Sequence, residues 1–108
     1  MHRQITWILA ALALALLSGC GGKATPGNIA AQACDAQVRT QLAGKPYALD
    51  LAALGATMAD DGRGGFLLTA KITVDAGLAN ETQQDLECTV RMSADQASAE
   101  VLTVRFLW

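Results

Sequence analysis

Leu86-Glu87-Cys88-Thr89-Val90-Arg91-Met92 alternates apolar and polar side chains at every step. A period of two is the pattern of a strand with one buried face, because successive side chains of a strand point to opposite sides. Upstream, Phe66, Leu68, Ala70, Ile72 and Val74 alternate with Leu67, Thr69, Lys71, Thr73 and Asp75. Downstream, Leu102, Val104, Phe106 and Trp108 alternate with Val101, Thr103, Arg105 and Leu107. In these two strands the first-named rows are expected to face the core. Trp108 is thereby placed at the core or its edge, and Val101, Leu107 and Leu67 fall on the outer face. Ala48 to Ala59 is rich enough in Ala and Leu to permit helix. Gly55 and the following Asp60-Asp61-Gly62-Arg63-Gly64-Gly65 instead favour a strand entering a hairpin.

Before the strands, the period lengthens. Ala30, Cys34, Val38 and Leu42 recur every four residues, so Ile29 to Ala43 reads as a helix with one apolar stripe. Either Asn28, or Thr25 with Pro26 as first helical residue, can cap its start, and Gly44 with Pro46 ends it. Asp35 and Arg39 stand four apart in the favourable order for an ion pair. Cys34 lies on the helix stripe and Cys88 on the apolar face of its strand, so both point into the interface where helix and sheet meet. The expected architecture is α+β: one N-terminal helix packed on a four-stranded antiparallel meander sheet.

The N-terminus has a different grammar. Met1-His2-Arg3-Gln4 is a short basic start, and Ile5 to Leu17 is an uncharged run. Thirteen helical residues span about 20 Å, short of the roughly 20 residues a membrane span needs, and fit the apolar region of an export signal. Leu17-Ser18-Gly19-Cys20 follows. This tetrad resembles the lipobox of bacterial lipoproteins. The resemblance implies that residues 1–19 are removed, that Cys20 is lipidated, and that its new N-terminus is acylated, with palmitate a typical chain. Several chains at about 0.8 kcal/mol per buried CH₂ make such an anchor stable. Gly21 is not the aspartate that commonly retains these proteins at the inner membrane, which implies an outer-membrane position facing the periplasm. Gly21 to Asn28 then reads as a flexible tether. The expected divisions are 1–19 signal, 20–28 lipidated cysteine and tether, and 29–108 one small domain.

With Cys20 assigned to lipid, Cys34 and Cys88 remain as an even pair in an oxidising compartment. A disulfide between them is expected, the alternative being two buried free thiols. The helix cysteine with its later Cys-x-Val strand, from Ile29 to Met92, also resembles small exported bacterial modules, a likeness that brings no function with it.

Composition bounds the chemistry. The 108 residues carry 8 basic and 10 acidic side chains, for a net charge of −2, and one histidine. That histidine is His2, so the region after the signal has neither a Ser-His-Asp nor a Cys-His arrangement and no imidazole metal ligand. The acidic balance argues against nucleic acid as a partner. Asp60-Asp61-Gly62 lacks the alternating ligands and terminal glutamate of a calcium loop, and Gly62, Gly64 and Gly65 have the wrong spacing for a phosphate loop. Ser93 and Ser98 fall in an expected turn. Asn80-Glu81-Thr82 matches a glycosylation acceptor by pattern alone, and Glu81, Asp85 and Glu87 lack an apolar pocket to tune them as an acid/base pair. No metal, no cofactor and no enzymatic activity are expected. The leading expectation is a membrane-tethered interaction module with an envelope protein as partner, docking on the outer-face residues Leu67, Val101 and Leu107. One sub-class is an accessory subunit of an envelope assembly; another is a guard, or immunity-type, protein that neutralises a toxin or hydrolase. The alternative is a small-molecule or lipid carrier using the gap between helix and sheet. Against it, a domain with four aromatic residues after the signal has little volume for a cavity.

Overall fold

The computed structural model describes residues 25–108. Helix α1 spans Pro26–Leu42. Thr25 caps it, its hydroxyl accepting the Asn28 N–H at 3.2 Å, and Pro26 takes the first helical position, where its missing N–H costs nothing. Of the two caps open to the sequence, this one starts the helix ahead of Ile29 and draws residues 26–28 into it. At the other end Ala43 turns left-handed (φ 51°) and returns its N–H to Arg39, and Gly44 follows at φ 89°. Ala30, Ala31, Cys34 and Val38 are fully buried and Leu42 packs at their margin, so the four-residue stripe is the core face.

The segment after α1 departs from the sequence expectation. Ala48 to Ala59 is not one strand but strand β1 (Tyr47–Leu49), helix α2 (Leu51–Ala56) and strand β2 (Ala59–Asp60). Asp50 accepts the Ala53 N–H at 3.0 Å and caps α2, and the good helix formers Leu51, Ala52, Ala53 and Leu54 follow. Strand β3 spans Phe66–Val74, β4 Thr82–Met92 and β5 Ala99–Leu107. Both β1 and β2 pair antiparallel with one edge of β3, at Val74–Ile72 and Leu67–Phe66 respectively. Between them Thr57 stands in for the missing strand: its hydroxyl oxygen accepts the Thr69 N–H at 2.8 Å. The order is β1-β3-β4-β5 with β2 beside β3, a five-stranded antiparallel sheet rather than four: β3-β4-β5 is the expected meander, and β1 and β2 share the outer edge of β3 with a helical turn between them.

Helix α1 lies on one face of this sheet. Leu68 and Ile72 of β3 and Leu86, Cys88 and Val90 of β4 are wholly buried against it, together with Leu54 of α2. The Cys34–Cys88 disulfide joins helix to sheet across this core, with Cα atoms 6.2 Å apart, an ordinary span for the bond. A second tie runs from Tyr47, whose hydroxyl donates to Asp35 at 2.6 Å, while Arg39 holds the other carboxylate oxygen at 2.8 Å. Burial and the Asp35 carboxylate both push the Tyr47 phenol above its usual pKa.

Two glycines set how closely α1 and α2 approach. A Cβ on Gly27 would meet the Gly55 carbonyl oxygen at 2.8 Å, and one on Gly55 would meet the Gly27 oxygen at 2.8 Å. Both clashes are with backbone, so the helices themselves must move. Gly55→Ala is expected to cost about 1–3 kcal/mol, the range for overpacking, as read from the urea midpoint. Gly27→Ala costs a similar amount. The double variant costs less than the sum, because one separation of the helices relieves both clashes; a fully additive pair would contradict this crossing.

Candidate functional site

The sheet face opposite α1 is the candidate interaction face. Its polar rows meet in register. Lys71 faces Asp85 at 2.6 Å, Arg105 faces Glu87 at 3.6 Å and Arg91 faces Glu100 at 3.9 Å. All three pairs are largely solvated, so each contributes at most about 1 kcal/mol. Leu67 and Leu107 stand half-buried on this face as the alternation requires. Leu67 lines a shallow depression with Glu87, Thr89, Leu102, Thr103 and Arg105, and Leu107 lines a second with Thr69, Lys71 and Asp85.

Val101 is not on this face. The β4–β5 ladder pairs Thr89 with Thr103 and Val90 with Val101, leaving Leu102 unmatched in a bulge. An extra residue reverses the alternation on one side of it. Val101 and Ala99 therefore pack against the core with Val104 and Phe106, and Leu102 emerges at 41% exposure. Leu102 replaces Val101 in the candidate surface. A signal for the bulge was present in the sequence. Glu100 and Arg105 are five apart on one strand, and strict alternation would force one of these charges inward. Trp108 is also displaced from its expected place: it lies one residue past the last ladder pair, Leu107 with Asp85, and is 90% exposed.

The other polar candidates are held by turns. In the Asp60–Gly65 turn, Asp60 accepts the Gly62 N–H at 2.6 Å, and Asp61 accepts those of Arg63 at 2.7 Å and Gly65 at 3.0 Å. Both bonds fall on Asp61 Oδ1, and the Arg63 and Gly65 amides hold its pKa below the usual aspartate value. A depressed folded pKa gives a contribution complete above the unfolded value, near 4, and lost as pH falls through the lowered folded value. In an acid titration followed by NMR, the Arg63 and Gly65 amides are thus expected to shift with a midpoint below that of an unperturbed aspartate. A midpoint at or above the ordinary value would refute the turn geometry. Ser93, Asp95 and Ser98 close the β4–β5 turn in the same manner: Ser93 donates to Asp95 at 2.7 Å and accepts the Ser98 N–H at 3.1 Å. Glu81 accepts the Gly77 N–H at 2.7 Å, and the Asn80 amide donates to Asp75 at 3.1 Å. Asp85 and Glu87 are occupied by their cross-strand cations.

Cys34 and Cys88 are joined and fully buried, a structural staple. Cys20 and residues 1–19, expected to be a signal, lie outside the described residues. Among the described residues no three His, Cys, Asp or Glu side chains gather as a metal set, and no helix is long and apolar enough to cross a membrane. Comparison with protein-family models, curated proteins and solved structures finds no match to this chain.

Proposed function

We propose that this chain is a lipid-anchored, non-enzymatic interaction module of the bacterial cell envelope. In this reading Cys20 carries the acyl chains, the tether leads to α1, and the domain faces the periplasm from the outer membrane. An envelope protein docks on the uncovered sheet face. The observation that carries the proposal is that face: Leu67, Leu102 and Leu107 stand among exposed ion pairs, opposite the side that α1 covers. The lipobox supplies the anchoring half of the argument. What favours this reading over a carrier is that buried side chains of α1, α2, β3 and β4 pack the helix–sheet interface, while the depressions beside Leu67 and Leu107 lie on the opposite face.

The test is in-cell photocrosslinking from position 67 or 107, with position 40 on the exposed side of α1 as control, in wild type and Cys20→Ser. The expected result is one discrete adduct from positions 67 and 107, absent from position 40 and reduced without the anchor. An adduct that is a toxin or hydrolase selects the guard sub-class; a component of a larger assembly selects an accessory subunit. Absence of an adduct from either outer-face position would overturn the proposal.

A further inference from the structure

Among the described residues the sheet has one long free edge. Strand β5 pairs with β4 on one side and ends the strand order on the other. Natural edges are blunted by shortness, proline, charged side chains, inward charge or bulges. β5 runs nine residues, Ala99–Leu107, without proline, lysine or an inward charge; its guards are the outward Glu100 and Arg105 and the bulge at Leu102, which deter pairing except with a strand that matches both. Its inner row is also incompletely covered. Leu68, Ile72, Leu86, Cys88 and Val90 of β3 and β4 are wholly buried, whereas Ala99, Val101, Val104 and Phe106 of β5 are only partly so.

We propose that β5 is the seam of a homodimer, in which the free edges of two copies pair antiparallel about a twofold axis between Leu102 and Thr103. The bulge makes the strand a palindrome of faces. Reading outward from the axis, Leu102 and Thr103 face out, Val101 and Val104 face in, Glu100 and Arg105 face out, and Ala99 and Phe106 face in. About this axis every residue meets one on its own face. The two bulges lie side by side at the axis, each Leu102 opposite Thr103 of the other copy, so neither strand is longer than the other. Moving the axis by half a residue sets Val101 opposite Arg105 and Glu100 opposite Phe106. A further half step sets Thr103 opposite Val104 at the centre. One register fits, and pairing along it extends the half-buried apolar rows across the seam.

Charge selects the same register. Glu100 of one copy stands opposite Arg105 of the other, twice by symmetry. Because Arg91 already pairs with Glu100, and Glu87 with Arg105, each row reads Arg91, Glu100, then Arg105 and Glu87 of the second copy. Signs alternate throughout, the favourable arrangement for directly opposed cross-strand residues. The seam uses the strand's edge and leaves Leu67 uncovered, although it shares Leu102 with the docking face.

Two full-length copies with different tags, co-expressed and recovered from the envelope in mild detergent, test the seam. Wild-type copies are expected to capture one another. Glu100→Arg paired with itself, and Arg105→Glu paired with itself, set like charges opposite one another twice and weaken capture about tenfold. Co-expression of Glu100→Arg with Arg105→Glu restores both opposite pairs and recovers it. Stable, disulfide-bonded variants that self-capture as well as wild type, or fail to recover when mixed, would overturn the seam. So would sedimentation of the wild type in density-matched detergent with one chain per particle, a measurement that needs no variant.

Discussion

Replacing Cys34 with alanine is expected to destabilise the domain by about 4 kcal/mol, the chain-entropy value for opening a loop of this length. The bond closes a sequence separation of 54 residues, which takes in every element from the middle of α1 to the middle of β4. Without it the unfolded chain regains the freedom of that loop, while the native contacts change little. Cys88→Ala is expected to cost the same, and the double variant no more than about 1 kcal/mol beyond either, since each substitution removes the same bond. Alanine is the replacement of choice. Both sites are fully buried, and a serine hydroxyl there would add the cost of an unpaired polar group. Against a total of about 5–15 kcal/mol for a small domain, the bond decides whether the fold persists under stress. Urea unfolding checks the prediction, with a steeper slope expected for the variants because the uncrosslinked unfolded chain exposes more surface; losses that add would mean the two cysteines act separately.

Leu54→Ala carries the second large effect. Leu54 sits on the six-residue helix α2 and is 0% exposed, so truncation leaves a cavity beneath α1 and β3. The expected loss is about 2–5 kcal/mol. Leu102→Ala on the exposed bulge should stay within about 0.5 kcal/mol, the usual range for surface changes. The contrast tests the placement of both residues. A reading of Ala48–Ala59 as plain strand gives Leu54 no special standing, and strict alternation in β5 puts Leu102 in the core. Near-equal losses would contradict the structure at both points.

These two leucines mark where sequence reading stopped. The α1 stripe, the alternation of β3 and β4, and the pairing of Cys34 with Cys88 were legible because each rests on a long run of one period. Length averages out the propensity of any single residue. The stretch from Tyr47 to Asp60 offered no such run. Its composition served helix and strand alike, and the choice came from contacts: the β3 edge takes up β1 and β2, Thr57 bridges the gap to Thr69, and Gly55 lets α2 lie against Gly27. Gly55 had counted against helix. In the fold it is the residue that allows this helix to pack.

The candidate surface divides in the same way. Leu67 and Leu107 followed from alternation alone, whereas Val101 gave way to Leu102 because β4 and β5 pair out of step between Thr89 and Val90. The sequence by itself determined which segments are helix or long strand and which faces carry the cysteines, because side-chain period is a local property of the backbone. Only the tertiary structure decided the turn of helix within the edge strand and the place of the bulge at which Leu102 turns outward, of which the sequence carried no more than the spacing of Glu100 and Arg105. Each depends on which distant backbone groups a segment must satisfy, and no local period records that.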